Sequence, residues 1–238
     1  MDIQGNMKIF AISDLHLSGA EPKPMNIFGS NWENHWDKIS CAWREKVGKD
    51  DIVLIAGDIS WAMQWENAVV DLNSIAALPG QKIMIKGNHE YWWNSVSKLR
   101  AFLPSGMYAV QNDAVAVSEY VFCGTRGWLN PVGGNATAED RKIYSRELMR
   151  LEMSLKAAQK LCAQGQKMIG MTHFPPLETD CKPTPVTELF ETYGVQTVVF
   201  GHVHGMQCSG DYRPLELHGV RYYLTSCDYL GFSPVCLL

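Results

Sequence analysis

The stretch VVFGHVHG, residues 198–205, sets three apolar residues and a glycine before two histidines. Short apolar, β-branched runs that stop at glycine read as buried strands. In extended backbone, residues two apart point to one face. His202 and His204 would then present their imidazoles side by side, with Val203 turned away. Such a pair can be a satisfied edge feature. It can also be part of a metal site, because neutral imidazole is the commonest protein metal ligand. The rest of the chain decides between the two.

The same pattern occurs four times upstream. KIFAIS (8–13) stops at Asp14-Leu15-His16, DIVLIAG (51–57) at Asp58, QKIMIKG (81–87) at Asn88-His89-Glu90, and QKMIGMT (166–172) at His173. Helical patterns at about 33–47 and 63–77 separate the first three runs, and Asn94 opens another that reaches Leu103. Strand–helix–strand alternation predicts an α/β fold with a largely parallel sheet core. MYAVQ, AVAVSEY and VFCGT, from 107 onward, are expected as closely spaced antiparallel neighbours, and RYYLTSC (221–227) as one more strand. The longest helix is expected over about 138–163, opened by a Thr137/Asp140 capping box. Tyr144, Leu148, Leu151, Leu155, Ala158 and Cys162 form its packing stripe, and Glu147, Arg150, Glu152, Lys156 and Lys160 largely occupy other faces. The NPVGG turn (130–134) and the proline-rich PPLETDCKPTP (175–185) are expected as loops within a single domain spanning residues 1–238.

Of the residues, 46% are hydrophobic and 19% charged, as in a globular protein able to bury a sizeable core. A net charge of −4 disfavours a sequence-blind grip on nucleic acid, which needs a basic face. No apolar run is long enough to span a membrane. MDIQGNMKIF has an early acid and no apolar signal core, so no secretory signal is expected, and Met7 is a candidate alternative start. Cys41, Cys123, Cys162, Cys181, Cys208, Cys227 and Cys236 are scattered and make no CxxC pair. They read as reduced thiols of a cytoplasmic protein, not as a disulfide frame or a zinc–thiolate site.

In open α/β sheets, ligands bind outside the carboxyl ends of the parallel strands. Five of the seven histidines (His16, His89, His173, His202 and His204) fall at such ends, which random placement would seldom achieve. Asp14, Asp58 and Asn88 with at least four of these histidines make a mixed nitrogen–oxygen set without sulfur. Such a set suits Mn, Fe, Co, Ni or Zn better than Ca or a thiolate site. Seven ligands are too many for one four-coordinate ion. They suit two ions sharing a carboxylate, with positions left open for water and substrate.

The ordered set Ser13-Asp14-Leu15-His16, Gly57-Asp58, Gly87-Asn88-His89-Glu90, His173 and Gly201-His202-Val203-His204 resembles the calcineurin-like metallophosphoesterase superfamily, over residues about 8–230. The resemblance implies a four-layer α/β/β/α sandwich with a dimetal site at its mouth. It places Asp14, His16 and His204 on one metal and Asn88, His173 and His202 on the other, with Asp58 bridging. Two divalent transition metals are expected, Mn, Fe or Zn, with Mn favoured. The implied reaction is hydrolysis of a phosphate ester on a phosphorylated small molecule, a diester slightly before a monoester. A hydroxide held between the metals attacks in line, and His89 protonates the leaving group. The second motif, Gly57-Asp58-Ile59-Ser60-Trp61, departs from the GDxVDRG of the protein phosphatases. His89 departs from the UDP-diacylglucosamine hydrolases. The small bacterial phosphohydrolases of the superfamily are the better match. A nuclease of the same superfamily and a non-catalytic metal-binding scaffold for protein partners are the alternatives.

Other residues carry weaker signals. Arg126, in GTRGW, can hold a phosphate oxygen with its fork or be an ordinary surface or paired arginine. Glu90 is expected to anchor its loop, His35 to lie on a partly exposed helix face, and His218 to be structural. Trp61, Trp65, Trp92 and Trp93 are expected in the core, with a pocket wall as the second reading.

Overall fold

The computed structural model describes residues 7–132, 136–178, 180–206, 208 and 211–238. The N-terminal residues 1–6, Gly133-Gly134 of the NPVGG turn and Thr179 of the proline-rich loop lie outside the described residues. In chain order the elements are β1 Ile9–Ala11, α1 His35–Lys46, β2 Ile52–Ile55, α2 Trp65–Ala76, β3 Gln81–Ile85, α3 Val96–Phe102, β4 Met107–Val110, β5 Ala114–Val117 and β6 Tyr120–Thr125. Then follow α4 Ala138–Leu161, β7 Lys167–Thr172, α5 Pro185–Thr192, β8 Thr197–Phe200, β9 Leu215–Leu217, β10 Val220–Leu224 and β11 Val235–Cys236.

The strands form two sheets. One has the order β11-β1-β2-β3-β4, and the other β5-β6-β7-β8-β10-β9. Within each, the central strands run parallel, with registers such as Leu54↔Ile83 and Gly170↔Val198, and antiparallel strands lie at edges. The short apolar runs are buried on both faces, as parallel strands require. Alternate residues serve different layers. Ile9, Ala11, Ile52, Leu54, Ile83 and Ile85 face the second sheet and meet Phe122, Ile169, Met171, Val199 and Tyr223. Phe10, Val53, Ile55 and Met84 face outward to Ile39 and Trp43 of α1, Leu72 and Ile75 of α2, and Leu99 of α3. On the far side Val121, Cys123, Val198, Phe200 and Tyr222 meet Tyr144, Leu151, Leu155 and Ala158 of α4 and Phe190 of α5. The layers are therefore α/β/β/α, the expected sandwich.

The five expected strands and four helices are present. The capping box of α4 forms in both directions: Asp140 N–H donates to Thr137 Oγ1 at 3.0 Å and Thr137 N–H to Asp140 Oδ2 at 3.0 Å. Two expectations need correction. The segments after 107 are not one antiparallel set. β4 pairs parallel with β3, whereas β5 and β6 form a hairpin in the other sheet. The chain crosses between sheets at Gln111–Asp113, where Asn112 takes a left-handed φ of 61°. Asparagine tolerates that conformation, so a three-residue link suffices for a sheet change that looks like a tight hairpin in sequence. Glu147 of α4 is buried, not on an outer face, because Thr125 and Arg150 satisfy it at 2.6 Å each.

Candidate metal centre

The polar clusters that end β1, β2, β3, β7 and β8 converge, although they come from both sheets. Hydrogen bonds stitch the sheets together there. His202 N–H lies 3.1 Å from both Asp14 carboxylate oxygens, and His173 Nδ1 is 2.9 Å from Ala56 O. The motif glycines permit this approach. A Cβ on Gly87 would overlap the Asp58 carboxylate and one on Gly201 would overlap the Asp14 carboxylate. His202 itself has φ 70°, so it is not extended backbone. The two histidines of the opening motif therefore do not lie side by side. His202 turns toward Asn88 and His173, and His204 toward Asp14.

Two groups of ligand atoms lie within 4.8 Å of one another: Asp14, His16 and His204, and Asp14, Asp58 and His173. Asp58 Oδ1 accepts the His89 N–H at 2.9 Å, while Oδ2 faces His173 Nε2 at 3.4 Å and His16 and His89 Nε2 at 3.9 Å each. Asn88 Oδ1 is 2.7 Å from His173 Nε2 and 3.0 Å from His202 Nδ1, and those two nitrogens are 3.3 Å apart.

These contacts test whether a cation fits. His173 Nδ1 faces a carbonyl and so carries the proton, which leaves the Nε2 lone pair of the neutral ring aimed at the Asn88 oxygen. His204 Nδ1 donates to Asp228 Oδ1 at 2.9 Å, which leaves its Nε2 lone pair 3.6 Å from Asp14 Oδ1. Lone pairs facing lone pairs repel, and a positive charge among them converts both sets into ligands. The mixed imidazole, carboxylate and amide set suits divalent transition metals. Without a cation, protons take the strain. Burial tends to discharge His173, but the hydrogen bond and charge of Asp58 win and raise it to about 9. Asp58 feels burial upward, yet the His173 contact and charge hold it below the ordinary carboxylate range. Burial raises Asp14 to about 6, lowers His16 to about 3 and, with His173 nearby, lowers His202 to about 4.

Three supports surround the cluster. Glu90 is buried and accepts from Gly87 N at 2.5 Å, Ile59 N at 2.6 Å and Asp58 N at 3.0 Å, so it anchors two motif turns as expected. Burial and the Asp58 charge raise it to about 7. His35 departs from its expected exposed face. It is buried and its Nε2 is 3.0 Å from Leu15 O, which steadies the turn between Asp14 and His16. Asp228, which sequence reasoning missed, orients His204 and accepts Gly205 N–H at 3.0 Å. Its signal was present: the run RYYLTSC ends at Asp228, as the other strands end at polar residues.

A cavity of about 690 Å³ opens onto His16, Asp58, His89, His202 and His204. Trp61 walls it, with its ring 4.7 Å from His16 and 4.4 Å from His89, whereas Trp92 and Trp93 are core. Met25, Phe28, Trp32 and Met206 complete an apolar wall. Arg126 is absent from this lining among the described residues. It faces a different cavity. His218 sits at the surface, its Nδ1 3.0 Å from Glu191.

A sandwich with clustered nitrogen and oxygen donors at its strand ends offers divalent transition metals a candidate site. The family model for calcineurin-like phosphoesterases matches residues 7–206, and the chain belongs to that family. Gene 66 protein of Mycobacterium phage L5 is similar at 36% identity over 78 residues, 33% of this chain and 37% of that protein. A protein of unknown function from Aquifex aeolicus, AQ665, has a solved structure with a TM-score of 0.49 at 14% identity, covering 97% of this chain and 96% of its own. The chain thus matches just over a third of the length of its curated relative.

Proposed function

We propose that the chain is a dimetal phosphoesterase acting as one domain over residues 1–238. Asp14, His16 and His204 would hold one ion and Asn88, His173 and His202 the other, with Asp58 shared between them. The observation that carries this reading is the trio Asn88 Oδ1, His173 Nε2 and His202 Nδ1, packed within 3.3 Å: even if His202 Nδ1–H donates to Asn88, the Nε2 of a neutral His173 still faces Asn88 Oδ1 lone pair to lone pair at 2.7 Å. Bound there, two divalent transition metals, Mn by preference, supply an activated water and positive charge for phosphate oxygens.

The chain's own residues do the rest. His89 stands at the cavity with Nε2 directed toward Asp58, and Trp61 against its ring fixes its orientation. From there it can give a proton to the departing alkoxide. Asp228 sets the tautomer of His204, and the backbone N–H of His202 holds Asp14 in place. The wall of Met25, Phe28, Trp32, Trp61 and Met206 receives an organic group, and no lysine or arginine is among the described lining residues. A neutral wall favours a phosphodiester, with one negative charge, over a monoester or polyphosphate. The seven free cysteines fit a reducing, cytoplasmic setting. No helix among the described residues is long and apolar enough to cross a membrane.

The test is a paired assay with Mn²⁺, using bis-p-nitrophenyl phosphate beside p-nitrophenyl phosphate. The expected result is turnover of both with preference for the diester. Preference for the monoester would reverse the substrate reading. No turnover of either by metal-loaded protein would remove the enzymatic one.

A further inference from the structure

Arg126 points to a second site. A cavity of about 190 Å³ lies beside it, and its lining is not shared with the metal cavity. Liquid water takes about 30 Å³ per molecule, so the space admits an oxyanion with some of its water. Three cations line it, Lys86, Arg126 and Arg150, against one carboxylate, Glu147.

Glu147 does not need all three. It is 3% exposed, accepts from Thr125 Oγ1 at 2.6 Å and pairs with Arg150 at 2.6 Å. Arg126 reaches it only at 3.9 Å, beyond a hydrogen bond. The Arg126 Nε is buried and has no partner. Lys86 gives one N–H to Trp93 O at 2.7 Å, which leaves two further donors on its ammonium. Gln111 uses its carbonyl to accept from Trp93 Nε1 at 2.7 Å, so its amide N–H groups add to the donors. Trp128 packs on the guanidinium at 5.1 Å and holds its plane. Cations gathered on one small cavity, with an orphaned donor among them, lack an anion. Burial makes the charge on Arg126 costly as it stands; Glu147 offsets part of this, and the neighbouring Arg150 and Arg146 add to it.

We infer that this cavity is a binding site for a phosphate-class oxyanion, held by Arg126, Arg150 and Lys86, and separate from the metal centre. The site touches the catalytic elements through the backbone. Arg126 O accepts from His173 N and Phe174 N at 3.0 Å each, and Lys86 immediately precedes Gly87-Asn88. An anion there would brace both turns. The inference needs only binding and stands apart from the proposed hydrolysis.

The probe is inorganic phosphate, titrated by thermal shift at constant ionic strength into the metal-loaded protein and the chelator-treated protein. The part of the shift that needs metal belongs to the metal cavity. A phosphate-dependent shift that survives chelation is expected, with affinity at least tenfold weaker in Arg126→Gln and in Arg150→Gln. Arg146→Gln, on the exposed side of α4 and outside the lining, acts only through its charge at a distance and is expected to weaken binding far less than either lining variant. Glycerol 3-phosphate run beside phosphate separates the sources: equal affinity means the free oxyanion is held, and tighter binding means the phosphate of a larger molecule. No shift after chelation, equal affinity in all variants, or equal weakening in Arg146→Gln would overturn the site.

Discussion

Removing Asp228 should weaken one metal site and spare the other. The Asp228 carboxylate accepts from His204 Nδ1 at 2.9 Å and is nearly buried, while the His204 side chain is 36% exposed. The bond fixes the tautomer, so that Nε2 is the atom turned toward Asp14. A hydrogen bond to a charged group contributes about 1.5–3 kcal/mol. Loss of such a partner behind a metal-binding histidine typically costs about 10–100-fold in metal affinity. Exposure of the imidazole screens the pair, so the low end applies, about tenfold or 1.4 kcal/mol. The second contact, to Gly205 N–H, is at an exposed glycine where water can take over. Asp228→Ala should therefore fold normally and bind Mn²⁺ at two sites, one of them about tenfold weaker, in a calorimetric titration. A double-mutant cycle makes this specific. In a His204→Ala background, the further Asp228→Ala change should cost nothing more, because the group it orients is gone. Two sites of wild-type affinity in Asp228→Ala, or an equal loss in the His204→Ala background, would refute the orienting role.

Other variants follow from the same geometry. Asp58→Asn should lower metal stoichiometry below two per chain, measured by elemental analysis, and abolish phosphoester turnover with far-UV dichroism unchanged. Glu90→Gln replaces two acceptor oxygens with one, which leaves a buried N–H of Gly87, Ile59 or Asp58 unpaired. It should cost about 1–3 kcal/mol by chemical denaturation, and a wild-type midpoint would count against the anchoring role. Metal binding should release protons, because His173, raised to about 9, must lose one to bind. Calorimetry in buffers of different ionisation enthalpy reads this release, and binding should tighten from pH 6 to pH 8. The stability of the chelated protein should move the other way. His173 has a folded value above its unfolded one, so its contribution is complete below about pH 6.5 and is lost as pH rises toward 9. A flat denaturation midpoint between pH 6.5 and 8 would contradict this.

The clustering of the candidate ligands was readable because each follows a short apolar run, and such runs announce themselves by composition. Asp14, Asp58, Asn88, His173 and His202 all stand just past a buried strand. The sheet partition was not readable, since β4 and β5 look alike and only the Asn112 turn separates them. His35 was misplaced for a related reason. On α1 it belongs to a helix whose polar positions look solvent-facing, and only the tertiary approach of the Leu15 carbonyl buries it. Glu147 likewise needed Thr125 from space, although its other partner, Arg150 at i+3 on α4, was readable from spacing. The Met25–Trp32 segment that walls the cavity carries no period at all; it consists of two short 3₁₀ turns around Gly29 at φ 138°.

The backbone explains why the ligand turns need one another. Asp14, His16, Asp58 and His202 are non-glycine residues with φ of 57°, 46°, 51° and 70°. Left-handed backbone costs roughly 1–2 kcal/mol per residue, so four such residues are a large charge against a total stability of about 5–15 kcal/mol. They persist because each turn is held by the next. Asp14 N–H and His16 N–H donate to Gly57 O and Asp58 O at 3.0 Å. Asp58 N–H donates to Glu90 at 3.0 Å, and His202 N–H to Asp14 at 3.1 Å. The turn after β1 thus rests on the turn after β2, which rests on Glu90 after β3, while the turn after β8 rests on β1. Strain concentrated at the candidate ligands and held by this chain of supports keeps those side chains in place without a cation. That is why Asp228→Ala and Asp58→Asn should report on ligation, whereas Glu90→Gln, which removes a support, should report on stability.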